Sequence, residues 1–148
     1  MFLNCHTYHS LRYGTISVEE LVQQASEHRL KTLALTDINT VTGIYTFYKL
    51  CLENNIKPIV GVEIRVKNEL YYICLAKNAK GIAEVNKMLT AYNCEGIEIP
   101  KENPSLINTW IIYPMHNIPE KLSDHEFIGI QENEINLLIQ PKLKSLIA

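Results

Sequence analysis

A chain of 148 residues, 47% hydrophobic and 20% charged, is long enough for one domain with a real core. Its formal net charge of -2 argues against a surface devoted to nucleic-acid phosphates, so any DNA contact has to come from a local patch or from elsewhere. No apolar run approaches the roughly 18 residues of a membrane span, and the opening MFLNCHTYHS lacks the basic region and apolar core of a signal peptide. The four cysteines show neither CxxC nor zinc-type spacing, so a cytoplasmic domain with reduced core thiols is expected.

Along the chain, Phe2 to His6 reads as a short strand that enters a loop over Thr7 to Thr15. Ser17-Val-Glu-Glu20 is a helix start: Ser17 caps the first turn, Glu20 closes a capping box, and Ile16 and Leu21 stand at staple positions. Val18, Leu21, Val22 and Ala25 give that helix its apolar face as far as about Arg29. Lys31 to Asp37 is the second strand, and Val41 to about Asn54 the second helix, with Ile44, Phe47, Tyr48 and Cys51 on one stripe. Ile56 to Val66 forms the third strand, and Lys67-Asn68-Glu69 makes a hairpin turn into a fourth, Leu70 to Ala76. A third helix spans about Asn78 to Tyr92, with Ile82, Val85, Met88 and Leu89 inward. After the loose stretch Asn93 to Asn108 come two short strands, Trp110 to Tyr113 and Phe127 to Ile130, and a last helix from near Glu132 that Pro141 interrupts. Strands alternating with helices predict βαβ units, a parallel sheet with helices packed outside, and a single domain over residues 1–148.

Ligands of parallel α/β folds collect at the carboxyl ends of strands. His6 ends the first strand, Asp37 the second, Glu63 lies in the third, and His9 follows in the first loop. An imidazole and two carboxylates on one rim form a divalent-metal ligand set. Plainer roles stand beside that one. His6 could be a satisfied loop histidine, Asp37 could cap the helix beginning at Val41, and Glu63 could face solvent from an alternating strand. His116 and His125 read as surface-loop residues. Lys77, Lys80 and Lys87 could form a basic helix face, but Glu84 in the same stripe favours a solvated surface.

The segments HTYHSLRYG, LALTD, FYK and NIKPIVGVE, in that order and at those separations, resemble the PHP (polymerase and histidinol phosphatase) domain. More narrowly they are similar to the N-terminal region of the alpha subunit of bacterial DNA polymerase III, most closely over residues 2–66. The resemblance implies a distorted (β/α)7 barrel, of which only the N-terminal portion is expected here, because such a barrel needs roughly 250 residues. Either the chain is a shortened piece of a much longer subunit or it is a short relative with a partial barrel.

In metal-binding members of the family, divalent ions activate a water for attack on a phosphoester. Carried over position by position, His6 matches the second histidine of the first motif, Asp37 the aspartate of the second, and Glu63 the glutamate of the third strand. Asn4 and Ile38 replace the other two expected histidines. Isoleucine cannot coordinate a metal, and an amide oxygen is a weaker donor than imidazole nitrogen. His9 is a substitute ligand on spacing alone.

The expectation is therefore a PHP-domain fragment of a replicative polymerase subunit with a degenerate, inactive metal site and no confident catalytic residue. Its role would be structural or docking, and no cofactor is expected. The partners that the resemblance implies are the remainder of the polymerase subunit, a proofreading exonuclease subunit, and DNA through the parent enzyme, with no membrane. The alternative is a metal-dependent phosphoesterase or proofreading exonuclease using His6, Asp37 and Glu63 with Mn, Zn or Mg.

Overall fold

The computed structural model describes residues 3–102 and 104–139. Eight regular elements are α1 (Val18–Glu27), β1 (Thr32–Leu35), α2 (Ile44–Glu53), β2 (Lys57–Val66), β3 (Glu69–Ala76), α3 (Ala79–Thr90), β4 (Thr109–Pro114) and β5 (Glu126–Gly129). The strands form one five-stranded sheet in the order β1-β2-β3-β4-β5.

The local signals in the sequence explain most element starts. Ser17 Oγ accepts from the Glu20 N–H at 3.0 Å, while Glu20 Oε2 accepts from the Ser17 N–H at 2.8 Å, completing the capping box of α1. Asn78 caps α3 by accepting from the N–H groups of Lys80 and Gly81. Helix α2 begins at Ile44, three residues later than the apolar stripe predicts, because Thr42-Gly43 forms a turn and Gly43 offers no capping side chain.

The expectation of a parallel sheet is corrected. Only β1–β2 and β4–β5 run parallel; β2–β3 and β3–β4 are antiparallel. The first reversal is the hairpin at Lys67-Asn68, both with positive φ (50° and 69°). The second follows α3, which is continued by a π-helical turn at Ala91–Glu95 before the chain returns to β4. The first expected strand does not form either: residues 3–6 are irregular. There the Thr36 N–H donates to the Cys5 carbonyl at 2.9 Å, but the reciprocal donor, the Cys5 N–H, goes to Thr36 Oγ1 at 3.1 Å. A side chain thus takes the place of the second ladder bond. The last expected helix is a 3-10 helix, Glu132–Ile139, and Pro141 lies outside the described residues. All four cysteines are free; Cys51 and Cys74 are buried, whereas Cys94 is exposed and is not a core thiol.

Two apolar clusters cover one face of the sheet. Leu33, Leu35 and Val60 pack under Val18, Val22, Phe47 and Cys51 of α1 and α2. Val62, Ile64, Tyr72, Cys74, Ile111 and Tyr113 pack under Val85 and Leu89 of α3, closed off by Ile99 and Leu106. Since side chains alternate along a strand, the pairs Glu63↔Ile73, Ile73↔Ile112 and Ile112↔Phe127 occupy the opposite face. Glu63 is therefore set away from the helices, whereas Asp37, two residues beyond Leu35, lies on the helix side beside Gly43 at the start of α2.

Candidate functional site

After β1 the chain continues as Thr36-Asp37, and Ile38 makes a parallel bridge to Glu63 of β2. The Glu63 N–H donates to the Asp37 carbonyl at 3.2 Å, and the Asn39 N–H to the Glu63 carbonyl at 3.0 Å. Backbone pairing thus brings Asp37, Ile38 and Glu63 to one rim, as strand-end reasoning predicts. What each side chain does there is different.

Asp37 is buried, 2% exposed. Its Oδ1 accepts from the Thr7 N–H and from Ser10 Oγ, both at 2.6 Å, and its Oδ2 accepts from Thr7 Oγ1 at 2.7 Å. Ser10 Oγ in turn accepts from the Ile38 N–H at 2.9 Å. The carboxylate therefore ties the Thr7–Ser10 loop to the end of β1; it does not cap α2.

Glu63 is fully buried rather than solvent-facing. Its Oε2 accepts from Asn4 Nδ2 at 2.9 Å and lies 3.2 Å from His6 Nε2. Arg65 Nε donates to Oε1. Burial pushes this carboxyl's pKa up, but hydrogen bonds from His6, Arg65 and Asn4, together with the His6 charge, outweigh it and hold the group at about 2, below its ordinary 4.5. Asn4 is itself fixed, its Oδ1 accepting from Thr36 Oγ1 at 2.7 Å. Arg65 is fixed by Nη1 donating to the Asn68 carbonyl at 3.1 Å and by the Tyr13 ring 4.8 Å from its guanidinium carbon. Asn39 supports the same stretch of β2: its side chain accepts from the Arg65 N–H at 2.9 Å and donates to the Arg65 carbonyl at 2.6 Å, with φ at 52°.

The structure brings His6 to Glu63 and gives Asp37 a separate set of donors. His9 stands over a hollow of about 430 Å³ shared with Ile38, Asn39 and Arg65, its ring centroid 4.5 Å from that of Tyr8. His116 is exposed and lies near the Leu70 carbonyl, while His125 sits in the loop before β5. Neither belongs to the rim. Glu84 is half-buried and accepts from the Asn108 backbone and side chain at 3.0 and 2.6 Å, tying α3 to the loop before β4 rather than standing on a freely solvated face. Among the described residues, no group of three or more His, Cys, Asp or Glu side chains is arranged to hold a metal ion.

Sequence reasoning missed Thr7, Ser10, Thr36, Asn39 and Arg65 as members of this site. Arg65 was accessible, because a residue two positions along a strand from Glu63 shares its face. Thr7 and Ser10 carried no such signal, since a loop without regular structure has no periodicity to read.

An α/β sheet with helices on one face and a buried polar cluster at the strand ends defines the class of domain. Residues 3–125 match the PHP domain family, and the chain belongs to it. Its sheet is accordingly part of a PHP-type barrel. Among curated relatives, DNA polymerase III subunit alpha of Staphylococcus aureus (strain COL) is 34% identical over 100 residues, 66% of this chain and 9% of that protein. The same subunit of Mycoplasma genitalium (strain ATCC 33530) is 37% identical over 93 residues, 60% of this chain and 10% of that protein. The match thus spans about a tenth of these relatives. A solved structure of a Bifidobacterium adolescentis protein described as a metal-dependent phosphoesterase aligns with a TM-score of 0.48 and 23% identity, covering 60% of this chain and 31% of that one.

Proposed function

We propose that this chain serves as a PHP-domain part of a replicative DNA polymerase alpha subunit, with a retired metal site and a structural or docking role toward the remainder of that subunit and a proofreading exonuclease. The observation that carries the reading is the way the two rim carboxylates are used. Each oxygen of Asp37 and Glu63 already accepts a hydrogen bond from the protein, and the cation beside Glu63 is the Arg65 guanidinium. A fixed guanidinium supplies the counter-charge that a divalent ion would otherwise provide. Asn4 donates its amide N–H to Glu63, and Ile38 has no donor atom. The donor set does not fit a divalent ion.

Similarity to polymerase alpha subunits supports the replicative context, and nucleotidyl transfer would then belong to other parts of such a subunit. The alternative, a phosphoesterase using His6, Asp37 and Glu63, draws support from the proximity of His6 to Glu63. Thermal unfolding with and without millimolar manganese or zinc, paired with hydrolysis of bis(p-nitrophenyl) phosphate, separates the two. The proposal expects neither a rise in Tm nor turnover above the buffer rate. A metal-dependent rise in Tm together with turnover that Glu63→Gln abolishes would overturn it.

A further inference from the structure

Between α2 and α3, with the β2–β3 strands and β4 completing its wall, lies an open cleft of about 910 Å³. Its size falls in the range that accepts organic ligands, and its lining is unusual for this chain. Helix α2 contributes Tyr45 and Tyr48, β4 contributes Trp110, and Lys57 and Lys77 supply the cations. Not one of the 16 acidic residues of the sequence lines it among the described residues. The three aromatic rings are not core residues: Tyr45 is 80% exposed, Tyr48 50% and Trp110 40%. Lys77 Nζ lies 4.1 Å from the centroid of the Trp110 ring. Outside the cleft lining, Trp110 also meets Phe127 on β5, 5.4 Å between ring centroids.

We propose that this cleft binds a short single-stranded nucleic acid, with bases stacking on the exposed rings and phosphates meeting Lys57 and Lys77. Exposed rings on a sheet and a flanking helix, interleaved with ammonium groups, form the combination that holds unpaired bases without reading their sequence. The absence of carboxylates from the lining suits an anion, in a chain whose overall charge is negative. A duplex does not fit, because its bases are already stacked and its ring faces are unavailable. The inference rests on the cleft alone and stands apart from the reading of the metal site.

Trp110 is the sole tryptophan of the chain, so its fluorescence reports this cleft directly. Titration of the 148-residue chain with dT10 at low salt is expected to quench that emission and to raise the anisotropy of fluorescein-labelled dT10, while the same-length duplex does so at least tenfold more weakly. Tyr45→Ala, on the exposed side of α2, is expected to lower dT10 affinity roughly tenfold, in line with the loss of one stacked base. Lys57→Gln is expected to make the log–log salt slope shallower by about 0.7, the share of one phosphate on a single strand. Lys121→Gln, outside the cleft, serves as the control and should leave both unchanged. No quenching and no anisotropy change at millimolar strand would overturn the proposal, as would binding that Tyr45→Ala and Lys57→Gln leave intact. Self-association by light scattering that buries Trp110 with no response to dT10 would also overturn it, by assigning the cleft to a protein surface.

Discussion

Arg65 and Glu63 define the energetics of the site at the scale of single residues. Glu63 is fully buried, and a buried carboxylate that loses its cation is left charged in a poor solvent. Arg65→Ala is therefore expected to destabilise the fold by about 3 kcal/mol, read from urea or guanidinium midpoints, with Glu63→Gln costing less because it removes the charge as well. Thr7→Ala removes one of the three donors to Asp37 and, through the loop, loosens Ser10; a loss of about 2 kcal/mol is expected by the same measurement. Asp37 was legible just past the end of β1, whereas His6 was read as the end of a strand that does not form and Glu63 lies within β2. The actual partners of the three were not legible. Asn4 and Ile38 could be recognised in sequence as residues without the ligand chemistry of imidazole, but the donor role of Asn4 depends on a contact across 59 residues.

Elements were legible in proportion to how local their signals are. The capping box of α1 lies within four residues and formed as read. The hairpin of β2 and β3 was marked by Lys67-Asn68 and formed too. Strand direction beyond the hairpin was not legible: a helix between two neighbouring strands ordinarily implies a parallel crossover, yet β3 and β4 flank α3 and are antiparallel. The long return after Ala91–Glu95 makes that possible, and its length carries no direction. Two substitutions test the elements. Ser17→Ala removes the α1 cap and is expected to cost about 1 kcal/mol. Gly61→Ala would place a Cβ 2.2 Å from the Cys74 carbonyl oxygen across the β2–β3 pair. Backbone has to move, so a loss of about 3 kcal/mol or failure to fold is expected, visible in denaturant midpoints and far-UV circular dichroism.

Across the whole molecule, the sheet is helix-covered on one face and carries Glu63 with its partners Asn4, His6 and Arg65 on the other. No described helix is long and apolar enough to cross a membrane. The state of the cluster should set the acid stability of the fold. Glu63 titrates near 2 when folded and near 4.5 when not, so its stabilisation is fully present above pH 4.5 and is lost as pH falls toward 2. Unfolding free energies should drop by about 3 kcal/mol over that window through this residue alone, and the drop should be absent in Glu63→Gln. The central claim is that protein donors and the Arg65 guanidinium have taken the place of metal ions at this rim. Crystals grown in millimolar manganese, with anomalous differences measured at a wavelength where manganese scatters, test it most directly. The account predicts no anomalous peak between His6, Asp37 and Glu63, with Arg65 still against Glu63; a manganese peak ligated by those three side chains, with Arg65 displaced, would contradict it.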